Sequence, residues 1–306
     1  MFVPQLNNTK KMKYIITGSL GHISLPVVKN LVAAGHQVTV ISSSDDKAKA
    51  IEALGAQAAI GSVSDANFVN KTFQGADAVY LMVPPNFATT NWPQYQKEVA
   101  DNYVQAIQLN NVKNVVQLSS IGAHMGNGAG PIDGLAYLEE KLKQLSNTNI
   151  KMLRPSYFFY NLFNMIPLIK NANIMGSNFG NTDEKLVLVH TSDIADAVSH
   201  HLLNLNFTGA SVQYIASDEC SVADIATALS NAANKPNTPW ITFSDDDTLS
   251  GMLQAGLPET IAKGYVQMGK SIREGLIQAD YWKNKPQLGK VKLADFVKEF
   301  TPAYNA

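Results

Sequence analysis

Gly18-Ser-Leu-Gly21-His-Ile-Ser24 follows directly on the apolar run Tyr14-Ile-Ile-Thr17 and leads into a helical pattern. Glycines at such a strand-to-helix turn let the backbone bend tightly and approach a pyrophosphate closely. The start of the helix adds free N–H groups and a favourable dipole. The chemistry implied is binding of a dinucleotide coenzyme, with Gly18, Leu20, Gly21, His22 and Ile23 as contact residues. The plain alternative is that the two glycines serve only a tight turn. Context favours the first: Val28, Leu31 and Val32 make a helical apolar stripe, Gly35 suits its end, and Gln37-Val-Thr-Val-Ile41 reads as the next strand. Ser24 stands where a third Gly or Ala is usual, so a hydroxymethyl group must fit between helix and strand.

A second constellation is Tyr137-Leu-Glu-Glu-Lys141. Residues four apart share a helix face, so the lysine ammonium could lower the tyrosine pKa and hold a ribose while the phenol exchanges a proton. Alternatively Leu135, Leu138 and Leu142 form the buried stripe, Glu139 and Lys143 make an exposed ion pair, and Lys141 faces water. His124 lies in a glycine-crowded loop, Gly122 to Gly134, that reads as a mobile flap; it is either a proton donor or an ordinary loop histidine. The neighbours His200 and His201 diverge on a helix and make no metal pair, so no metal is expected. Tyr157-Phe-Phe-Tyr160 and Phe163 are either interlobe core or the apolar wall of a pocket for a planar molecule.

The chain must supply elements that hold these groups. Its 306 residues, 45% of them hydrophobic, can bury a full core and leave room for a smaller lobe. Net charge is −1, and Arg154 and Arg273 are the arginines, which leaves little material for a nucleic-acid-binding face. Cys220 is the single cysteine, consistent with a reducing cytoplasm and incompatible with an internal disulfide. No apolar stretch approaches the length needed to cross a bilayer, and the first residues lack a signal-peptide core, so a cytoplasmic location without membrane contact is expected.

Short strands alternate with helices: Ala58 to Ile60, Phe68 to Phe73, Ala78 to Val83, about Pro93 to Asn110, Val115 to Leu118, Leu135 to Leu145, and Ile150 to Leu153. The alternation predicts an α/β fold, a doubly wound, Rossmann-like parallel sheet with right-handed crossovers and a second, smaller C-terminal α/β lobe. Coenzyme and substrate then meet at the strand ends, near Gly18, Ser42, Val83 and Ser119. The expected division is a tail over 1–12, a dinucleotide-binding domain over 13–155 and a substrate lobe over 156–306, with parts near 191–216 returning to the sheet. Ser221 to Asp224 reads as a helix cap and Thr238 to Phe243 as a strand.

Thr17-Gly-Ser-Leu-Gly21, Leu81-Met-Val-Pro-Pro85, Ser119-Ser-Ile-Gly122, Leu153-Arg-Pro155 with Tyr157, Phe158 and Asn161, and Asp193-Ile-Ala195 together resemble the NmrA-like group of atypical short-chain dehydrogenases/reductases, over most of residues 13 to 300. That resemblance implies an NAD(P)H-dependent oxidoreductase that passes a hydride to a quinone-like or conjugated carbonyl small molecule. The group also contains reductases of plant phenylpropanoid-like compounds and non-catalytic coenzyme-binding redox sensors. Fold cannot choose among these, and an extended-type sugar-nucleotide epimerase is a further alternative. Tyr137 and Lys141 match the Tyr-x-x-x-Lys pair of active short-chain dehydrogenases, with Ser120 as the accompanying serine, although the group's recurrent acidic position falls on Glu139. The strand ends Val83-Pro84 and Ser119-Ser120 are expected beside the nicotinamide ribose.

Coenzyme choice turns on the end of the second strand, where an acid would bond ribose hydroxyls and a base would meet a 2′-phosphate. Ser42, Ser43 and Ser44 occupy that place, with Lys47 nearby and Asp45 and Asp46 between. The missing acid favours NADP, with NAD as the alternative, and Ser42, Ser43 and Lys47 as contacts. Ser44 or Asp45 could instead simply cap the next helix. The expected partner is a flat, apolar small molecule, and the chain is a monomer or homodimer.

Overall fold

A computed structural model describes residues 11–180 and 185–306. The first half alternates strand and helix: β1 (Lys13–Ile16), α1 (Ser24–Ala33), β2 (Gln37–Ser42), α2 (Ala48–Ala53), β3 (Gln57–Ile60), α3 (Ala66–Phe73), β4 (Ala78–Leu81), α4 (Trp92–Leu109), β5 (Asn114–Leu118), α5 (Asp133–Lys143) and β6 (Asn149–Pro155). These strands and Ala210–Ile215 form one seven-stranded sheet in the order β3, β2, β1, β4, β5, β6, Ala210–Ile215, and every pairing in it is parallel.

Both faces of the sheet are covered, as a parallel sheet requires. Tyr14, Ile16, Val38, Val40 and Tyr80 pack under α1 and the helix Thr191–Asn204. Ile15, Ile41, Val79, Val115 and Met152 pack on the other face under α3, α4 and α5. Period-two alternation within each strand sends successive apolar residues into opposite layers. Across the first layer the Asn30 amide donates to Ser199 Oγ at 3.0 Å, joining α1 to the late helix. The later segments add a strand trio, Tyr157–Phe158 beside Lys185–Val189 beside Asp218–Ser221, and a pair, Met175–Ser177 with Trp240–Thr242. Their own core is aromatic, with Phe159 stacked on Phe296 at 5.1 Å and Phe163 on Phe300 at 6.0 Å.

Several boundaries differ from expectation for local reasons. β4 stops at Leu81 rather than Val83 because the Met82 N–H donates to Thr17 Oγ1 at 2.7 Å instead of joining the ladder. β6 runs on through Pro155, whose carbonyl accepts from Ile121 N–H at 2.8 Å. Ser44 precedes the short turn Asp45–Lys47 without capping it through its side chain. Ser221 does cap, in a reciprocal box with Asp224. Residues 1–10 of the expected tail lie outside the described residues. Met12, expected in the tail, belongs to the fold, because its carbonyl accepts from Gln37 N–H at 2.9 Å. No described helix is long and apolar enough to cross a membrane.

Candidate active site

The strand order reverses between β1 and β4, since β2 and β3 lie on one side of β1 and β4 to β6 on the other. The crevice at such a switch point is where open α/β sheets take ligands. Thr17 stitches the two strand ends together: its hydroxyl donates to Tyr80 O at 3.1 Å and accepts from Met82 N–H. Beyond it Gly18 turns in the left-handed region at φ +87°, and Ser19 follows at φ +54°. A Cβ on Gly18 would stand 3.0 Å from Ser24 Oγ and 3.3 Å from Met82 Cε, so a side chain there is strained in backbone and crowded in space.

Gly18, Leu20, Gly21, His22 and Ile23 all lie in this turn ahead of α1. Gly21 and His22 are exposed, no side chain caps the first turn of α1, and no carboxylate sits within it. Free amides and an uncompensated dipole end suit a pyrophosphate. Ser24 is accommodated by turning its hydroxyl back to Thr17 O at 3.0 Å, which answers the packing question its extra atom raised. His22 lies against Tyr160, ring centroids 4.5 Å apart, so the turn touches the later lobe.

At the end of β2 the three expected contacts separate. The Ser42 hydroxyl is buried and engaged inside the protein, accepting from Ser19 Oγ at 3.0 Å and from Ser44 N–H at 3.2 Å. Ser42 therefore shapes the crevice instead of offering a free hydroxyl to a ribose. Ser43 and Lys47 are exposed, as are Asp45 and Asp46.

The ends of β4, β5 and β6 open on a cavity of about 340 Å³ lined by Pro85, Ser120, Ser156, Tyr157, Asn161 and Tyr265, among others. Val83 and Pro84 approach it along the chain, and the Pro84 carbonyl is fixed by Tyr95 OH at 3.0 Å. Ser120 faces this space, its hydroxyl 2.9 Å from Ile121 O. Tyr157 is half-buried, and desolvation of its phenol, then the neighbouring Tyr265, push its pKa up, so it stays protonated at any ordinary pH.

Tyr137 and Lys141 do not reach this cavity, which corrects their expected pairing with Ser120. Both lie on the outer face of α5, where Tyr137 OH donates to Asp101 Oδ1 of α4 at 2.9 Å and Lys141 Nζ lies 3.6 Å from the same oxygen. The Tyr137 hydroxyl, then the Asp101 carboxylate, hold the lysine pKa above its usual value. Tyr137 lines a different groove, with Trp92, Lys97 and Lys263.

The inner face of α5 carries what the spacing did not reveal. Glu139, expected at the surface, is 1% exposed and takes a bidentate pair of bonds from Arg154, Nε to Oε1 at 2.9 Å and Nη2 to Oε2 at 2.6 Å. Ser119 is buried too, and its hydroxyl donates to Glu139 Oε1 at 2.6 Å. Arg154 Nη1 donates to Tyr214 Oη at 3.0 Å, and Tyr214 OH donates on to Asp280 Oδ2 at 2.6 Å. Burial opposes the Arg154 charge, but the bonds from Glu139 outweigh it and the net pKa shift is upward. This network locks the Ser119-Ser120 strand end from behind, with the Ser119 hydroxyl proton turned into the protein.

The glycine-rich loop, expected as a flap, is tied by hydrogen bonds to both lobes. Asp133 accepts from the N–H groups of Gly128 at 3.1 Å and Ala129 at 2.8 Å, and Ser271 Oγ donates to Gly128 O at 2.7 Å. His124 sits on it at the surface with its pKa lowered, by burial first and by Arg154 against the pull of Asp280. The aromatic run divides between both of its possible roles: Tyr157 and Phe158 line the cavity, whereas Phe159 is core. His201 is buried against Gln213 and His200 is exposed, so the two diverge.

Tyr265, Met268 and Ile272, from the helix Glu259–Arg273, and Leu186, Val187 and Gln278 complete the cavity, and sequence inspection missed all six. The three helical residues share a face at spacings of three and four, a signal present but shared by any core stripe. Gln278 accepts from Val187 N–H at 3.0 Å, a contact 91 residues apart that no local pattern announces.

Residues 18–204 match a family model described as NAD(P)H-binding. The chain belongs to that NAD(P)H-binding family. A curated relative in sequence, the NAD(P)H azoreductase of Xenophilus azovorans, is 23% identical over 252 residues, covering 81% of this chain and 83% of its own. In structure the chain is similar to the NADPH-dependent quinone oxidoreductase of Escherichia coli complexed with NADPH, at TM-score 0.78 and 19% identity over 94% of this chain and 99% of that one. It is likewise similar to Citrobacter sp. triphenylmethane reductase complexed with NADP(H), at TM-score 0.75 and 17% identity over 94% and 99%. A Staphylococcus aureus nucleoside-diphosphate-sugar epimerase superposes at TM-score 0.77 with 15% identity over 94% and 100%. These likenesses are of fold, and a fold does not by itself set the acceptor.

Proposed function

We propose that this member of the NAD(P)H-binding family is a reductase that delivers a hydride to a flat, conjugated, uncharged or cationic small molecule such as a quinone, an azo compound or a triarylmethane dye. In this proposal residues 13–155, with segments near 191–216, hold the coenzyme, and the remainder of 156–306 closes over the acceptor. The observation that carries it is the chemistry of the cavity: among the described residues its lining side chains include no charged group. A sugar nucleotide brings two phosphates and calls for cations; a quinone or dye ring calls for apolar and aromatic walls with a few neutral hydrogen-bonding groups.

When bound, the dihydronicotinamide supplies a hydride, and a proton from solvent completes the two-electron reduction of a quinone to a quinol. The protein's contribution is placement. The turn from Gly18 to Ile23 offers its amides to pyrophosphate, the Val83-Pro84 and Ser120 strand ends border the nicotinamide ribose, and Tyr157 with Asn161 and Tyr265 flank the acceptor. Holding donor and acceptor in reactive geometry can supply most of the acceleration such a reaction needs. The neutral Tyr157 phenol can donate a hydrogen bond to an acceptor oxygen as negative charge develops there.

NADPH is the proposed coenzyme over NADH, because β2 ends in serines without an acid to bond ribose hydroxyls, and Ser43 and Lys47 are exposed there. The test is a calorimetric titration with each coenzyme followed by assays of NADPH oxidation on quinones, conjugated enals and azo dyes. Tighter NADPH binding with turnover supports the proposal. Tight binding with no turnover on any acceptor would instead make the chain a redox sensor.

A further inference from the structure

We infer that the acceptor is a two-part molecule, a small conjugated head joined to a sizeable apolar appendage, and that the appendage occupies a second chamber next to the reactive cavity; this rests on the reductase proposal above. The second chamber measures about 1040 Å³, roughly three times the reactive cavity's 340 Å³. Tyr157, Asn161, Tyr265 and Met268 line both spaces, so the two adjoin across a shared neck. A single quinone ring fills only the smaller one.

The larger chamber is walled by Met165, Leu168, Phe179, Phe243, Met252 and Leu257. The helix Met165–Ala172 supplies Met165 and Leu168, the helix Asp245–Gln254 supplies Met252, and Leu257 lies in the loop that follows. Methionines on such a wall adapt to the shape of an apolar guest. Among the described residues the charged side chain on the lining is Asp247, and no cation faces it, so the appendage is not a phosphate, carboxylate or nucleotide. Phe87, half exposed on the segment that follows Pro85, stands at the rim.

Gly251, inside the helix Asp245–Gln254, lines the chamber on its solvent-exposed side, and a Cβ built on it meets nothing within 4 Å, so a larger side chain can be introduced there without displacing a neighbour.

The test compares two quinones with NADPH as reductant: methyl-1,4-benzoquinone and the same ring carrying a decyl chain. Burying even part of the chain should lower KM for the decyl quinone at least about tenfold in the wild-type protein. G251W sets an indole against the chamber lining, and in it the ratio of the two kcat/KM values should fall to within about twofold of unity. Turnover of both quinones with equal KM in the wild type would overturn the two-part acceptor while leaving the reductase proposal standing. A decyl preference that survives G251W would overturn the assignment to this chamber, and no turnover of either quinone would overturn both proposals together.

Discussion

The two faces of α5 carry acidic and basic groups two residues apart with opposite outcomes. Glu139 points inward, is almost wholly buried, and is held by Arg154 and Ser119 directly behind the reactive cavity. Tyr137 and Lys141 point outward and share one exposed carboxylate, Asp101. Sequence spacing leaves the outer pair open between a proton relay and a solvated pair, and on the second reading it places Glu139 at the surface beside Lys143. Tertiary structure keeps Tyr137 and Lys141 on the outer face but draws Glu139 inside, with Lys143 Nζ 3.8 Å from its Oε2. The lesson is that residues on one helical turn acquire roles from what lies across the gap: a strand end for one face, a neighbouring helix and water for the other.

That contrast can be broken from its strong side first. Arg154→Met leaves the Glu139 carboxylate buried without its bidentate partner and should cost about 3–5 kcal/mol of stability, measured by urea unfolding. A loss below about 1 kcal/mol would mean that the inner face does not anchor the strand end. Glu139→Gln keeps the shape and some of the hydrogen bonds, so about 1–3 kcal/mol is expected, with a smaller fall in acceptor kcat/KM as the Ser119-Ser120 strand end loosens.

A second helix offers the same contrast in a titratable pair. On Thr191–Asn204, His201 is buried beside Gln213 while His200 is exposed. Burial holds the His201 pKa below its usual value, with the Gln213 bond opposing. The folded protein therefore binds fewer protons than the unfolded chain as pH falls below about 6.5, and stability drops through that window toward the lowered folded value. Thermal melts from pH 7 to pH 5 should show wild type losing more Tm than H201Q; part of the loss remains in the variant, because His36 is lowered by burial as well. Equal slopes would remove His201 from the account.

The smallest expected effect belongs to the outer face. Y137F and K141A should each leave kcat/KM for a quinone within about twofold of wild type, in steady-state assays of NADPH oxidation. A loss of about 1,000-fold in either would restore the proton relay and reopen the epimerase alternative.

The contrast also shows where sequence is informative. The turn at Gly18 was legible because its signals are local: a strand, a glycine forced to positive φ, an uncapped helix start. The sheet was legible for the same reason, from alternating apolar runs, and the expected return of parts near 191–216 to it is met by the strand Ala210–Ile215. Glu139 was not, because its partner lies 15 residues on across a strand and charged helical positions are ordinarily solvated. The loop of glycines around His124 suggested mobility, yet one carboxylate, Asp133, collects two of its amides and folds it. Tyr265 and Gln278 reach the cavity only through the complete packing of the C-terminal lobe, which no spacing rule encodes.

Direct hydride delivery in a cavity without charge is best tested by isotope transfer. NADPH dideuterated at C4 should be incubated with the protein and a triphenylmethane dye, whose central carbon retains whatever it receives, and the colourless product analysed by mass spectrometry. One deuterium on that carbon is the expected result. Coenzyme bound tightly with the dye unchanged, or a reduced dye carrying only hydrogen, would contradict it.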